Sequence, residues 1–209
     1  MTSPGWPPPA GWRDQGQVLG DGWTEEQRRV TMVQIADSLV GLGPGDPRYR
    51  ELCYPHDEPK VAEQMAKGQS ACALVCGGAL RCFGVEHVEL ATPYAWRFAA
   101  TPSRRPVDAM VRLQVMGGWH ADTTRLPEPG EIAIMGSGLG THAFICRDRS
   151  DTHLESVDGG KGKVRVAKRA IVRGPSSVGL RDGMGIRWIV GVLRCGELVP
   201  TLEWVLPGS

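Results

Sequence analysis

The chain of 209 residues has no excess of either charge, with 24 Lys and Arg against 23 Asp and Glu. A broad basic face for nucleic acid or for an anionic membrane surface is therefore not expected. No run approaches the roughly 20 apolar residues that cross a bilayer, so membrane insertion is not expected either. The opening MTSPGWPPPAGW lacks both the basic and the apolar parts of a signal peptide, which predicts a soluble protein made in the cytoplasm. There is no internal repeat. The six cysteines are irregularly spaced, with three crowded onto one segment, and form no Cys-x-x-Cys knuckle. A chain of this length can bury a sizeable core without covalent staples, so reduced thiols are expected.

Glycine and proline are plentiful, at 28 and 16, and suit a turn-rich domain better than a helical one. Residues 1-23 hold several prolines and glycines with Trp6, Trp12 and Trp23 but no apolar period. They read as an extended arm, anchored by its indoles and suited to docking on another protein. A single domain is expected over 24-209. Thr24 with Gln27, followed by Val30, Met32, Val33, Ile35, Ala36, Leu39 and Val40, gives an N-cap and an apolar stripe at helical spacing, closed by Gly41 and Gly43. The stretch GPGDPRYRELCYPHDEP reads as turns, held down by Tyr49, Leu52 and Tyr54. A second helix is predicted from Ser70 to Gly84 and a third after Pro106.

Beyond them the period changes. Glu131 to Met135, Thr141 to Cys146, Thr152 to Val157, Lys163 to Val166 and Ile186 to Leu193 are short β-rich segments between Gly and polar turns, and GPSSVGLRDGMG reads as a loop, a candidate lid or inhibitor. Helices first and strands second predict an α+β fold with an antiparallel sheet.

The segment GQSACALVCGGALRCFG, residues 68-84, concentrates the chemistry. With Ser70 as N-cap, Cys72 falls in the first turn, where unpaired backbone N–H groups and the macrodipole favour a thiolate. Cys76 lies one turn on among Val75, Ala79 and Leu80 and reads as a small buried hydrophobe. Cys82 sits toward the end that disfavours an anion. Gly77 and Gly78 each cost a helix roughly 1 kcal/mol relative to Ala, and close approach of another backbone is the expected compensation.

A thiol nucleophile needs an imidazole base and a third polar group to orient that ring. Among His56, His87, His120, His142 and His153, the best placed is His142, which opens HAFIC just after the turn GSGLG. The segments LPEPGEIAIM (126-135), GTHAFI (140-145) and LESVDGG (154-160) resemble the second half of papain-like cysteine amidases of the CHAP and NlpC type. In that family a "PGD-I" strand leads to a strand opened by histidine. Here Glu131 replaces the usual Asp, and Ala143-Phe144 replaces a Gly-containing run.

The resemblance implies a papain-like fold, N-terminal helices packed on a C-terminal antiparallel sheet, with Cys72 as nucleophile, His142 as base and no cofactor or metal. The third member is Asp158, with Glu155 and His153 as rivals. Period-two counting puts Thr152, Leu154, Ser156 and Asp158 on one face and His153, Glu155 and Val157 on the other, so only one set can meet His142. Gln69 is a candidate oxyanion donor beside the Cys72 N–H, or a plain helix-start residue. Trp119 and His120 are candidate substrate-groove residues, or core.

The function implied is cleavage of amide bonds in peptidoglycan peptides, with a phage, a secretion system or a particle as the route to the wall. Two alternatives stay open. One is a zinc site using Cys72 and Cys76 with His142 or His153. The other is a non-enzymatic virion or secretion-apparatus protein that docks through its arm.

Overall fold

The computed structural model describes residues 24-43, 45-49, 72-82, 119-137, 140-159 and 162-197. The arm 1-23, Leu52, Tyr54, Gln69, Ser70, Gly84 and the helix expected after Pro106 lie outside these residues.

Helix α1 spans Glu25–Leu39 and begins as its sequence dictates: Thr24 accepts from the Gln27 N–H at 3.2 Å, and the Gln27 side chain accepts from the Thr24 N–H at 2.9 Å. Its buried face is narrower than the apolar stripe. Met32, Ala36 and Leu39 are fully buried, whereas Val30 and Val40 are exposed. Helix α2 spans Cys72–Cys82 and is buried at every described side chain, including Cys72, Cys76, Leu74 and Leu80. A helix covered this completely packs on more than one neighbour, and α2 indeed contacts both α1 and the sheet.

The strands are β1 (Trp119–His120), β2 (Ile132–Ser137), β3 (Gly140–Arg149), β4 (His153–Asp158), β5 (Arg165–Arg173), β6 (Val178–Asp182) and β7 (Gly185–Leu193). All pairings are antiparallel. The order is β1-β7-β2-β3-β4-β5-β6, and β6 also pairs with β7. Strands β2 to β7 thus close on themselves as a six-stranded barrel, with β1 added outside on β7.

This corrects the expected papain-like α+β architecture of helices packed on an open sheet: the protein is mostly β, with few helices among the described residues. The element that closes the ring is β6, which comes from the supposed loop GPSSVGLRDGMG. Its glycines mimic a turn, but Gly179 is there because a Cβ would meet the Trp188 ring at 2.9 Å and the Arg187 carbonyl at 3.0 Å across the β6–β7 pair. A side chain missing on one strand makes room for an indole on the next.

Closure divides the apolar residues into two cores. Alternate residues of each strand point inward, so Ala133, Met135, Phe144, Leu154, Leu180 and Ile189 fill the barrel. The opposite set, Ile132, Ile134, Ala143, Ile145 and Val157, faces outward and is covered by α1 and α2. Arg147 ties α1 to the barrel through Asp37 at 2.7 Å. The Gly41 N–H donates to Val164 O at 2.9 Å, and the Val164 N–H donates to Leu42 O at 2.7 Å.

At Gly130, just before β2, the chain runs close against α1. Its φ is +86°, and a Cβ would stand 2.2 Å from the Arg29 carbonyl oxygen. Gly130→Ala is expected to cost about 2 kcal/mol or more, from left-handed backbone strain plus displacement of α1. Gly185→Ala, at φ +112° with nothing within 4 Å, should cost less. Urea denaturation of the two variants measures the difference.

Candidate active site

Barrel closure brings one end of α2 to one end of β3. Cys72 opens α2 and is 2 % exposed. The His142 side chain hydrogen-bonds both the Cys72 side chain and Asp158, the latter from Nε2 to Oδ2 at 3.2 Å. His142 and Asp158 both belong to inward-facing sets. The β3–β4 register pairs Ile145 with Val157, which sets Phe144 opposite Asp158 and makes His142 its diagonal neighbour, within reach of a long side chain. The imidazole also stacks on Phe144, with centroids 6.4 Å apart and planes at 23°.

Of the rivals for the third position, neither meets the ring. His153 is exposed and holds the Thr152 hydroxyl at 2.9 Å. Glu155 faces outward and pairs with Arg147 at 3.1 Å. Of the residues offered for a zinc site, Cys72 and Cys76 share the outer core, while His153 is exposed at the far end of β4. Among the described residues no group of three or more His, Cys, Asp or Glu is placed to hold a metal ion.

The Asp158 carboxylate is buried and accepts from four donors. Ser156 Oγ donates to Oδ1 at 2.7 Å and Arg169 Nη1 to the same oxygen at 3.3 Å. His142 Nε2 and Arg169 Nη2 share Oδ2. Burial on its own would push the Asp158 acid up. The hydrogen bonds from His142 and Arg169, with the charge of the guanidinium, overcome this and hold it below the ordinary carboxylate value. Burial also opposes protonation of His142, but the bonds to Asp158 and then Cys72, with their negative charge, outweigh it and raise the imidazole above its ordinary value. The ring is thus arranged to carry a proton. Cys146 and Cys195, by contrast, are free thiols that burial pushes up, which keeps them inert.

The remaining candidates are placed elsewhere. The Trp119 backbone pairs with Leu193 in β1. His120 Nε2 meets Glu197 at 2.6 Å, and Glu197 also accepts from Arg194 at 2.7 Å. Glu131 is a buried structural acceptor: Arg125 reaches both its oxygens at 2.8 Å and the Glu128 N–H donates at 2.7 Å. A cavity of about 120 Å³ beside these groups is lined by Glu25, Arg29, Arg125, Glu131, Arg194 and Glu197. Its three acids balance its three bases, and it includes none of Cys72, His142 and Asp158.

Arg169 is the site residue that sequence reading missed. In RVAKRAIVR it looks like one of several solvated bases, yet it is 4 % exposed. The available signal was parity: Arg169 shares its β5 face with Ile171, which packs against the barrel interior. No protein-family model, no curated protein and no solved structure matches this chain.

Two opposite pH linkages follow. The Asp158 acid is depressed in the fold, so the stability it contributes is fully present above its ordinary value of 3.8 and is lost as pH falls below it. The imidazole is raised, so its contribution is fully present below 6.5 and is lost as pH climbs through a folded value higher than that. Asp158→Asn removes the negative partner of both His142 and Arg169. It is expected to lower the His142 titration midpoint and to destabilise the fold by about 3 kcal/mol, the cost of breaking a buried ion pair on one side. Histidine NMR titration and urea denaturation measure the two effects.

Proposed function

We propose that the protein is a cysteine amidase or endopeptidase that cleaves amide bonds in cell-wall peptides. One observation carries the reading: a single ring, His142, hydrogen-bonds both the Cys72 side chain and a buried, ionised Asp158. Three groups in that order are what nucleophilic acyl transfer by sulfur requires.

Nε2 is committed to Asp158, so Nδ1 exchanges the proton with sulfur. Transfer from Sγ to Nδ1 gives a thiolate and an imidazolium. The thiolate attacks the scissile carbonyl carbon; a C–S bond forms, and the carbonyl π pair moves onto oxygen. The Cys72 backbone N–H, at the start of α2, is a donor for that oxyanion. When the carbonyl re-forms, the C–N bond breaks and the imidazolium gives its proton to the departing amine. Neutral His142 then takes a proton from water, whose oxygen attacks the thioester, releasing a carboxylic acid and restoring the thiol. Asp158 holds the ring orientation throughout.

The substrate class follows from the resemblance of the strand motifs to wall amidases. It is tested with peptidoglycan fragments and synthetic peptides of stem and cross-bridge sequence. Cys72→Ala is expected to reduce turnover about 10⁴-fold or more with unfolding behaviour unchanged; hydrolysis retained by that variant overturns the assignment. The wild-type pH–rate profile should fall on its basic limb above 6.5, since the imidazole that must be protonated is raised above that value. A small haloacetamide should alkylate Cys72 at neutral pH and leave Cys146 and Cys195 unmodified, as read by peptide mass mapping.

A further inference from the structure

The side chains behind Asp158 continue the series from strand to strand. Arg169 on β5 grips the Asp158 carboxylate with both Nη atoms, donates from Nη1 to Ser156 Oγ, and is braced by Nε on Asp182 of β6 at 3.5 Å. Arg187 on β7 pairs with the same Asp182 oxygen, Oδ2. Phe144, which stacks on the His142 ring, lies beneath the guanidinium with the Arg169 carbon 5.6 Å from its centroid. Arg169 therefore fixes both the acid that orients His142 and the aromatic face on which His142 rests.

We propose that Arg169, held by Asp182, is a positioning residue that fixes the Asp158 carboxylate and limits how strongly that carboxylate attracts the proton on His142. This inference rests on reading Cys72 and His142 as the reacting pair. A lone buried carboxylate beside an imidazole would hold the proton too firmly for it to pass to the leaving amine. A cation on the far side of the carboxylate offsets part of its field and shares its lone pairs. Titratable groups meet His142 from two elements: Cys72 from α2 directly and Asp158 from β4 directly. Arg169 acts through Asp158, and Asp182 and Arg187 act through Arg169.

The two sides of Arg169 give the proposal a signature in sign. Arg169→Met removes the opposing cation, so the His142 NMR titration midpoint should rise. Asp182→Asn leaves Arg169 uncompensated, so the same midpoint should fall. A residue that merely filled space would produce neither shift, and certainly not two of opposite direction. Arg169→Met should also lower kcat roughly 100-fold, the scale of a misplaced catalytic group, with KM little changed. Arg169→Lys should restore the midpoint and part of kcat.

All measurements use the full chain. Should Arg169→Met not fold, Asp182→Asn carries the test, because it leaves the Arg169–Asp158 pair in place. Midpoints that do not move, or that move in the same direction in both variants, overturn the proposal. Opposed shifts in a protein whose wild type cleaves no peptide would uphold the role of Arg169 and sink the amidase reading.

Discussion

The carboxylate of Asp158, buried inside a barrel, is the group on which the rest depends. An acid in that position either takes up a proton or finds enough donors to stay charged. Asp158 finds four, from three different strands. Because it stays ionised, His142 has a fixed partner and an incentive to hold a proton; on the proposed reading, that proton is the one it takes from the Cys72 sulfur. On that reading, the chemistry at α2 depends on an ion pair formed between β4 and β5.

Closure of the barrel makes that ion pair possible. In an open sheet the inward faces of β5 and β6 would need cover from another layer, and their arginine and aspartate would lie near an edge. With β6 zipped to β7, the polar residues of β4, β5, β6 and β7 share one enclosed end while Phe144, Leu154, Leu180 and Ile189 fill the space beside them. The outer core has a separate task. It seats α2 on β3 so that Cys72 reaches the rim where His142 begins its strand.

Local features were legible in the sequence, and relations between distant segments were legible only in part. Thr24 and Gln27 announced the start of α1, and alternation along LESVD put Asp158 on the opposite face from Glu155, as the structure does. The histidine after GSGLG and the cysteine at the start of a helix were both singled out by chemistry. Barrel closure was not legible, because it depends on a pairing between β6 and β7 hidden by glycines that resemble a turn. Val30 and Val40 looked like core and are exposed, since periodicity reveals a helix face but not how wide its neighbour is. Arg169 was overlooked for the converse reason: a charge in a strand is normally solvated, and only the demand of an inward-facing acid for a counter-ion would have drawn it inside.

Helix α2 and then strands β3 to β7 each contribute one member to an alternating series, running from Cys72 and His142 through Asp158, Arg169 and Asp182 to Arg187. Before proton transfer the last four carry alternating charge and the first two are neutral. Moving the proton from sulfur to nitrogen adds a negative and a positive charge in the order that extends the alternation. Each new charge has an opposite neighbour, and two unit charges 4 Å apart attract by about 4 kcal/mol in surroundings of effective dielectric 20. Like charges stand two places apart, at about twice the distance, and repel by roughly half as much. The transfer therefore creates charge where the field already favours it, and the backbone N–H groups at the start of α2 favour the sulfur end in the same sense. An isolated thiol and imidazole buried to this depth would gain nothing comparable; on the proposed reading, that gain is what a nucleophile almost closed to solvent needs in order to react.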